Sequence, residues 1–219
     1  MEDGLDIFYQ EHYSDFIETG LVGFVARLSH RSLEVGQSSK RTRKQFRILE
    51  VGAGGGQHVK FCNQDYSEYI LTDLRPENLP KSKGRVISNK DIVPADCLPY
   101  SDQSFDRVIA TCLVAHLNDP NKAVSEWLRV VKDSGNITIY VPCEPGFILR
   151  ILQNVITNAK KQKMGIANPK LLHYRDHIQT YVRLKEEIQH LSANVKIRRY
   201  PFPMLSWNFN LWAVFHITK

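Results

Sequence analysis

The stretch Glu50-Val51-Gly52-Ala53-Gly54-Gly55-Gly56 decides the fold of this 219-residue chain. It completes the apolar run 46–51, which predicts a buried strand, and it leads into a predicted short helix over 56–64. A glycine-rich turn between a strand and a helix lets the backbone approach a ligand closely. At the carboxyl edge of a parallel sheet, such a turn is where nucleotide-like ligands bind.

The glycine pattern also argues against two common ligand classes, dinucleotides and P-loop nucleotides. The dinucleotide fingerprint G-x-G-x-x-G requires a glycine where this chain has Gln57, and no Gly-Lys-Ser/Thr follows to make a phosphate-binding P-loop. An acidic residue directly before the glycines would repel a diphosphate. Glu50 is better suited to a cationic ligand.

Apolar runs and helical periodicity alternate along most of the chain. Beyond 46–51, strands are predicted at 69–73, at 86–88 or 92–95, and at 104–111, 136–141, 195–200 and 211–217. Helices are predicted near 3–17, 19–34, 120–131 and 147–162, and a further helix from Asp176, with Gln179 as its capping-box partner.

This alternation predicts an α/β fold: a Rossmann-like, doubly wound, seven-stranded sheet, mostly parallel, with an antiparallel C-terminal strand. N-terminal helices and a helical insertion after strand five complete it. We expect a single domain over 1–219, comprising a helical lid (1–45), a cofactor-binding core (46–142), a helical substrate cap (143–194) and a C-terminal strand pair (195–219).

Two carboxylates follow later strands. Asp73 ends the second strand, 21 residues beyond Gly52, where it can accept hydrogen bonds from both ribose hydroxyls. Asp96, in the segment 94–100, can accept an adenine amino hydrogen while its neighbours pack against the ring.

Taken together, the chain resembles the class I S-adenosylmethionine-dependent methyltransferases, in particular the small-molecule group with E-x-G-x-G-x-G. The matching motifs are Glu50 to Gly56, Asp73, Asp96 to Tyr100, and Phe105 to Val108. The resemblance covers about residues 46–142. Asp133-Ser134-Gly135 replaces the family's usual Pro-Gly-Gly, which is a tolerable turn substitution.

The resemblance implies roles for individual residues. Gly52, Ala53 and Gly54 would line the methionyl part of the cofactor, and Glu50 would hold its ammonium directly or through water. The remaining cofactor-binding residues would be Asp73 and Leu74 at the ribose, Asp96, Cys97 and Leu98 at adenine, and Thr111 and Cys112 at the sulfonium. The cofactor would be S-adenosyl-L-methionine and the product S-adenosyl-L-homocysteine.

The candidate catalytic base is His116, which follows strand four, where the family places residues between cofactor and substrate. A packing or capping histidine is the structural alternative. Candidate substrate-binding residues come from the lid, the insertion and the last loop: Tyr9, Tyr13, His173, His177 and Trp207. Each could instead serve ordinary packing or lie on the surface.

Charge is unevenly distributed in a chain of net charge +6. Residues 1–26 contain six acids and no Lys or Arg, whereas residues 150–199 contain eleven Lys/Arg and three acids. The basic half favours an anionic substrate or peripheral membrane contact, or it is simply a solvated face. The four cysteines form no C-x-x-C pair, so no metal site is predicted. A cytoplasmic location and a monomer or homodimer are expected.

The sequence therefore predicts an enzyme that transfers a methyl group to an O or N atom of a small metabolite, with anionic and sugar- or lipid-linked acceptors as open options. Two alternatives stay open. One is an RNA or protein methyltransferase, suggested by the basic charge, although nucleic acid is disfavoured because no separate binding module is recognised. The other is a non-catalytic cofactor-binding scaffold, suggested by the lack of an unambiguous base.

Overall fold

The fold is described from a computed structural model that covers residues 13–37, 45–166 and 168–219. Seven strands form one sheet in the order β3-β2-β1-β4-β5-β7-β6. Strand β7 is antiparallel to both of its neighbours, β5 and β6, and the other pairs are parallel. The strands are β1 Phe46–Val51, β2 Tyr66–Thr72, β3 Val86–Ser88, β4 Phe105–Ala110, β5 Val131–Pro142, β6 Val195–Tyr200 and β7 Trp212–Thr218. The predicted fold class is confirmed.

Helices cover both faces of the sheet and its carboxyl edge. They are α1 Tyr13–Glu18, α2 Gly20–Leu33, α3 Pro120–Val130, α4 Phe147–Leu152, α5 Asn158–Lys163, α6 Pro169–Asp176 and α7 Tyr181–Leu191. A π-helical turn, Gln153–Thr157, joins α4 to α5 into one continuous helix. Shorter 3₁₀ turns include Gln57–Phe61, Val114–His116 and Trp207–Phe209.

Several element boundaries differ from the sequence predictions. The helix predicted from Asp176 begins at Tyr181, because the Thr180 side chain caps it by accepting a hydrogen bond from the backbone N–H of Arg183. Asp176 instead ends α6, a helix that the sequence reading missed. The helix predicted over 56–64 is only the 3₁₀ turn Gln57–Phe61, and strand β5 begins five residues before the predicted position 136.

The core lies on both faces of the central strands. The fully buried Trp127 of α3 anchors the larger cluster and donates a hydrogen bond from its indole N–H to the carbonyl of Ala95 at 2.9 Å. The sheet order reverses between β1 and β4, which pair side by side while β2 and β5 lie on their outer sides. At such a reversal the loops after the strands diverge and leave a crevice at the carboxyl edge.

A buried ion pair fixes the end of α2 against the sheet. The Glu34 carboxylate lies 2.8 Å from the guanidinium of Arg107, a fully buried residue of β4. The same carboxylate lies 3.0 Å from the ring of His58 and accepts a hydrogen bond from the backbone of Asn63 at 2.9 Å. Glu34 therefore connects α2 to β4 and to the segment that follows the glycine turn.

Candidate active site

The glycine turn after β1 has a backbone that only glycine adopts readily. Gly52 and Gly54 have φ values of +66° and +52°. A Cβ atom on Gly52 would lie 2.7 Å from the side chain of Leu113, so a substitution here would strain the backbone and displace that side chain. A Cβ atom on Gly54 would meet nothing within 4 Å. The turn therefore has open space above Gly54, as a cradle for a ligand requires.

Asp73 is hydrogen-bonded directly to this turn. One carboxylate oxygen accepts from the backbone N–H of Gly54 at 2.8 Å, and the other accepts from the N–H of Arg75 at the same distance. The carboxyl end of β2 is thereby locked to the carboxyl end of β1. The Asp73 side chain stays partly exposed beside the turn.

Glu50 lies beneath the crevice rather than in it. Its fully buried carboxylate accepts hydrogen bonds from the Tyr69 hydroxyl at 2.8 Å and the Thr111 hydroxyl at 3.2 Å. Burial raises the pKa of Glu50, while the two hydroxyls and the charge of His58 oppose that effect. Thr111 itself lines the crevice, so it links Glu50 to any ligand there.

Cys112, next along the chain, also lines the crevice and has a left-handed backbone with φ +56°. This conformation is uncommon outside glycine and is concentrated at functional sites. Burial, with the nearby charges of Glu144 and Asp176, raises the pKa of the Cys112 thiol to about 12. The thiol is therefore protonated at neutral pH and is not a nucleophile.

The segment expected to hold adenine packs against α3. The Asp96 carboxylate pairs with the Lys122 ammonium at 2.9 Å, and the backbone N–H of Leu98 donates to Glu126 at 2.8 Å. Leu98 is buried, Cys97 is exposed, and Leu74, after β2, has 55% of its surface exposed. The segment is joined to Asp73 through the backbone N–H of Val93, which donates to the Asp73 carbonyl at 3.4 Å.

A cavity of about 250 Å³ adjoins the glycine turn. It is larger than a benzene-sized cavity of about 150 Å³ and slightly smaller than the roughly 300–1,000 Å³ of drug-sized sites. Its floor is formed by the turn with Thr111 and Cys112. Its walls are mainly apolar and come from α2 and the continuous helix 147–163, including Val22, Val25, Leu149, Leu152 and Ile156.

Five titratable side chains meet at one end of this cavity, and we call them the histidine cluster. His116 Nδ1 lies 2.9 Å from an Asp176 carboxylate oxygen. The Glu144 carboxylate lies 3.2 Å from His173 Nε2 and 3.1 Å from His177 Nδ1. The ring centroid of His177 is 4.6 Å from that of His116 and 4.3 Å from that of His173. All five line the cavity.

Backbone hydrogen bonds bring these distant parts of the sequence together. The N–H of Ile178 donates to the carbonyl of Ala115 at 2.9 Å, and the N–H of Tyr181 donates to the carbonyl of Glu144 at 2.8 Å. The amide of Gln179 also donates to the carbonyl of Leu117 at 2.7 Å. The insertion therefore closes directly over the ends of β4 and β5.

Contacts within the cluster shift the pKa values of His116 and His177 in opposite directions. Burial alone would lower the pKa of His116, but the hydrogen bond and charge of Asp176 outweigh it and raise that pKa. Burial lowers the pKa of His177, and the positive charges of His116 and His173 add to this against the opposing effect of Glu144. Burial disfavours charge on Glu144 too, yet hydrogen bonds from His173 and His177 hold its pKa well below the usual range.

Two overlapping trios in the cluster come close enough to hold a metal ion. They are His116, Asp176 and His177, and Glu144, His173 and His177, with potential ligand atoms within 4.8 Å of one another in each trio. The same atoms hydrogen-bond to one another, and Gln153 donates a further bond to Glu144 at 2.7 Å. Hydrogen bonding alone thus accounts for the arrangement.

The structure brings together most of the residues that the sequence singles out. The turn, Thr111 and Cys112 line one cavity with His116, His173 and His177. Asp73 is hydrogen-bonded to the turn but is not among the described residues of the cavity lining, and neither are Leu74, Asp96, Cys97 and Leu98. Trp207 lies elsewhere: its ring stacks on Tyr181 at 5.5 Å between centroids, and it is not among the described residues of the cavity lining. Tyr9 lies outside the described residues, as does the side chain of Tyr13.

Sequence reasoning missed Glu144 and misread Asp176 as a helix cap. Glu144 follows β5 by two residues, so a carboxylate near the carboxyl end of a parallel strand could have signalled it. No such signal existed for Asp176, because its pairing with His116 depends on how the insertion folds back.

Residues 49–139 match the family model described as a methyltransferase domain. An uncharacterized protein of Mycobacterium tuberculosis is 33% identical over 115 residues, which cover 50% of this chain and 42% of that protein. An uncharacterized methyltransferase of Bacillus subtilis is 30% identical over 112 residues, 47% of this chain and 44% of that protein. The chain thus spans less than half the length of these curated relatives.

A solved structure of a SAM-dependent methyltransferase from Thermotoga maritima has a similar fold along nearly the whole chain. The TM-score is 0.60 at 18% identity, with 98% of this chain and 99% of the other covered. At this identity the likeness shows the fold. The family match over 49–139 covers this fold from β1 to β5.

Proposed function

We propose that the protein transfers a methyl group from S-adenosylmethionine to an oxygen or nitrogen atom of a small molecule, with His116 as the base. The observation that carries this proposal is that the glycine turn and His116 line the same cavity. The cradle above Gly54, the carboxylate of Asp73 and the Thr111–Glu50 pair lie on one side, and His116 opens into the adjoining cavity. Donor and acceptor sites are thus neighbours, as in-line transfer requires.

The residues at the crevice fit a cationic nucleoside. Asp73 would bind the ribose hydroxyls, and Gly52, Ala53 and Gly54 would line the methionyl chain. The buried carboxylate of Glu50, acting through Thr111, would attract the ammonium group. Asp96, Cys97 and Leu98 would border adenine, and Leu74 would lie beside Asp73 at the ribose. Gln57 stands where the dinucleotide fingerprint requires a third glycine, so the site suits this ligand better than a dinucleotide.

When bound, S-adenosylmethionine supplies a methyl group on a sulfonium sulfur, which keeps the electron pair of the broken carbon–sulfur bond and leaves as S-adenosylhomocysteine. The protein has two remaining tasks. The apolar walls from α2 and the helix 147–163 exclude water and align the acceptor. His116 takes the proton that the acceptor atom loses as the new bond to carbon forms.

Asp176 positions His116 for this task. Its carboxylate accepts from the Nδ1 side of the ring, which leaves Nε2 as the nitrogen that accepts the proton. The negative charge also stabilises the imidazolium that results, consistent with the raised pKa of His116. His173 and His177, held by Glu144, would contact the polar part of the acceptor, whereas the apolar walls would contact its body.

The cavity volume supports a small acceptor. The glycine turn, Thr111 and Cys112 line this same cavity of about 250 Å³, so the space that a bound cofactor would leave fits a ring or a short chain. The acceptor class is accordingly a small molecule with an ionisable hydroxyl or amine on an apolar body. Trp207, stacked outside the described lining, would support α7 rather than touch this molecule.

A turnover assay tests the proposal. The purified chain is mixed with S-adenosylmethionine and fractions of a low-mass metabolite extract, and release of S-adenosylhomocysteine is measured. With an active fraction, His116→Gln should lower kcat by about 10²–10⁴-fold while leaving affinity for S-adenosylhomocysteine unchanged. His190→Gln, an exposed histidine on α7, is the matched control. Equal kcat in wild type and His116→Gln would refute the role of His116, and release with no fraction would favour a scaffold.

A further inference from the structure

The continuous helix 147–163 has apolar side chains on two faces. One face lines the cavity with Leu149, Leu152 and Ile156. The other presents Phe147, Ile151 and Val155 to the surface, with 55%, 47% and 66% of their areas exposed. A surface helix of a globular protein usually presents polar residues on its outer face, and a helix that is apolar on both faces is normally covered on both.

More exposed apolar residues extend this surface. The backbone N–H of Phe147 donates to the Asn208 side chain at 2.9 Å, which places the loop between β6 and β7 beside the start of α4. In that loop Met204 is 93% exposed, and Leu205 and Phe209 are nearly half exposed. Helix α6, which packs on α5, exposes Leu171 and Tyr174. We call these apolar residues and the helix face the insertion surface.

Basic residues accompany the insertion surface, and acidic ones do not. Among the described residues of 145–178, the exposed basic residues are Arg150, Lys163, Lys170 and Arg175, whereas no Asp or Glu is exposed. The acid of this range, Asp176, faces the cavity and His116. Apolar and aromatic side chains mixed with cations, without acids, match the chemistry of an interfacial surface on an anionic bilayer.

From this combination we infer that the insertion surface docks on a membrane that contains anionic lipid. Apolar side chains enter the boundary between headgroups and acyl chains, and the cations lie at the lipid phosphates. A partner protein with acidic side chains is the alternative occupant, and absence of vesicle binding would favour it. Docking would set the helix that walls the cavity against the headgroups.

Vesicle co-sedimentation of the full chain tests this inference. We expect binding to vesicles of phosphatidylcholine mixed with phosphatidylglycerol, little binding to phosphatidylcholine alone, and release by salt. Lys163→Gln and Lys170→Gln should each weaken binding about fivefold, which corresponds to about 1 kcal/mol per cation near the surface. Lys81→Gln, an exposed lysine near the opposite sheet edge, is the charge control and should bind as wild type does.

A second pair of variants tests how much the apolar side chains contribute to membrane binding. Val155→Asn should reduce binding at least tenfold, whereas Ile92→Asn, at a 69% exposed apolar residue outside the insertion surface, should leave it unchanged. Thermal melting and affinity for S-adenosylhomocysteine confirm that each variant is folded. Wild-type binding to neither vesicle, or equal binding by Val155→Asn, would overturn the inference. So would a lipid-free dimer that Val155→Asn dissociates, because a second copy would then cover the surface.

Discussion

Replacement of Glu34 by Gln should cost the protein about 3 kcal/mol of folding free energy. Burial alone would raise the pKa of Glu34, but the hydrogen bond from His58 and the charge of Arg107 lower it from 4.5 to about 2. A difference of about 2.5 in pKa between unfolded and folded states is worth about 3 kcal/mol at about 1.4 kcal/mol per pKa unit. Removing one partner of a buried ion pair costs a similar amount, roughly 3–5 kcal/mol.

The sign of the pH dependence follows from the lowered pKa. The ionised carboxylate stabilises the fold above about pH 4.5, and this stabilisation is lost as the pH falls towards 2. The gap between wild type and Glu34→Gln should therefore be full at pH 7 and narrow progressively below pH 5. Because a chain of this length shifts its melting temperature by roughly 2–4 °C per kcal/mol, we expect a decrease of about 6–12 °C at pH 7.

Urea unfolding at several pH values, followed by circular dichroism, measures this gap. Glu77→Gln is the control, because Glu77 is exposed and such substitutions usually change stability by less than about 0.5 kcal/mol. A gap below about 1 kcal/mol at pH 7, or one that stays constant down to pH 3, would refute the argument. The second result would show that Glu34 acts through packing and not through its charge.

Three further predictions concern the site. In Asp176→Asn the acid limb of kcat against pH should move to lower pH, because burial lowers the pKa of His116 once the Asp176 charge is gone and only the charge of Glu144 opposes it. An acid limb that does not move would contradict the pairing of His116 with Asp176. Gly52→Ala should destabilise the fold by about 1–3 kcal/mol and weaken S-adenosylhomocysteine binding, since φ is +66° and the new Cβ would lie 2.7 Å from Leu113. Calorimetry should show weaker binding by Gly52→Ala than by the control Gly36→Ala, whose new Cβ meets no atom within 4 Å. Prolonged chelator treatment should leave turnover unchanged. A loss of turnover that one divalent metal restores would contradict the interpretation that hydrogen bonds alone hold the histidine cluster together.

The sheet was predictable because its strands carry the information locally. The apolar runs at 46–51 and 104–111 are bounded by turn residues, and the glycine turn and Asp73 mark the carboxyl ends of β1 and β2. Parallel topology then places those ends together. Motif spacing thus predicted the juxtaposition of Gly54 and Asp73, which the structure shows as a direct hydrogen bond.

The acceptor side was less predictable because its contacts are long-range. The approach of Asp176 to His116 spans 60 residues and depends on the backbone bonds from Ile178 and Gln179 to Ala115. Periodicity reports which face of a helix is apolar, but it does not report what that face meets. For the same reason the sequence did not reveal that the helix 147–163 is apolar on both its inner and outer faces.

Isothermal titration of the purified chain with S-adenosylhomocysteine tests the central claim most directly. We expect saturable binding at one site per chain, weakened at least tenfold in Asp73→Ala, because hydrogen bonds to a charged group contribute about 1.5–3 kcal/mol each. Asp91→Ala, an exposed aspartate, should bind as wild type does. Absence of heat with the wild-type chain, or full affinity in Asp73→Ala, would contradict the assignment of the crevice above the glycine turn as the cofactor site.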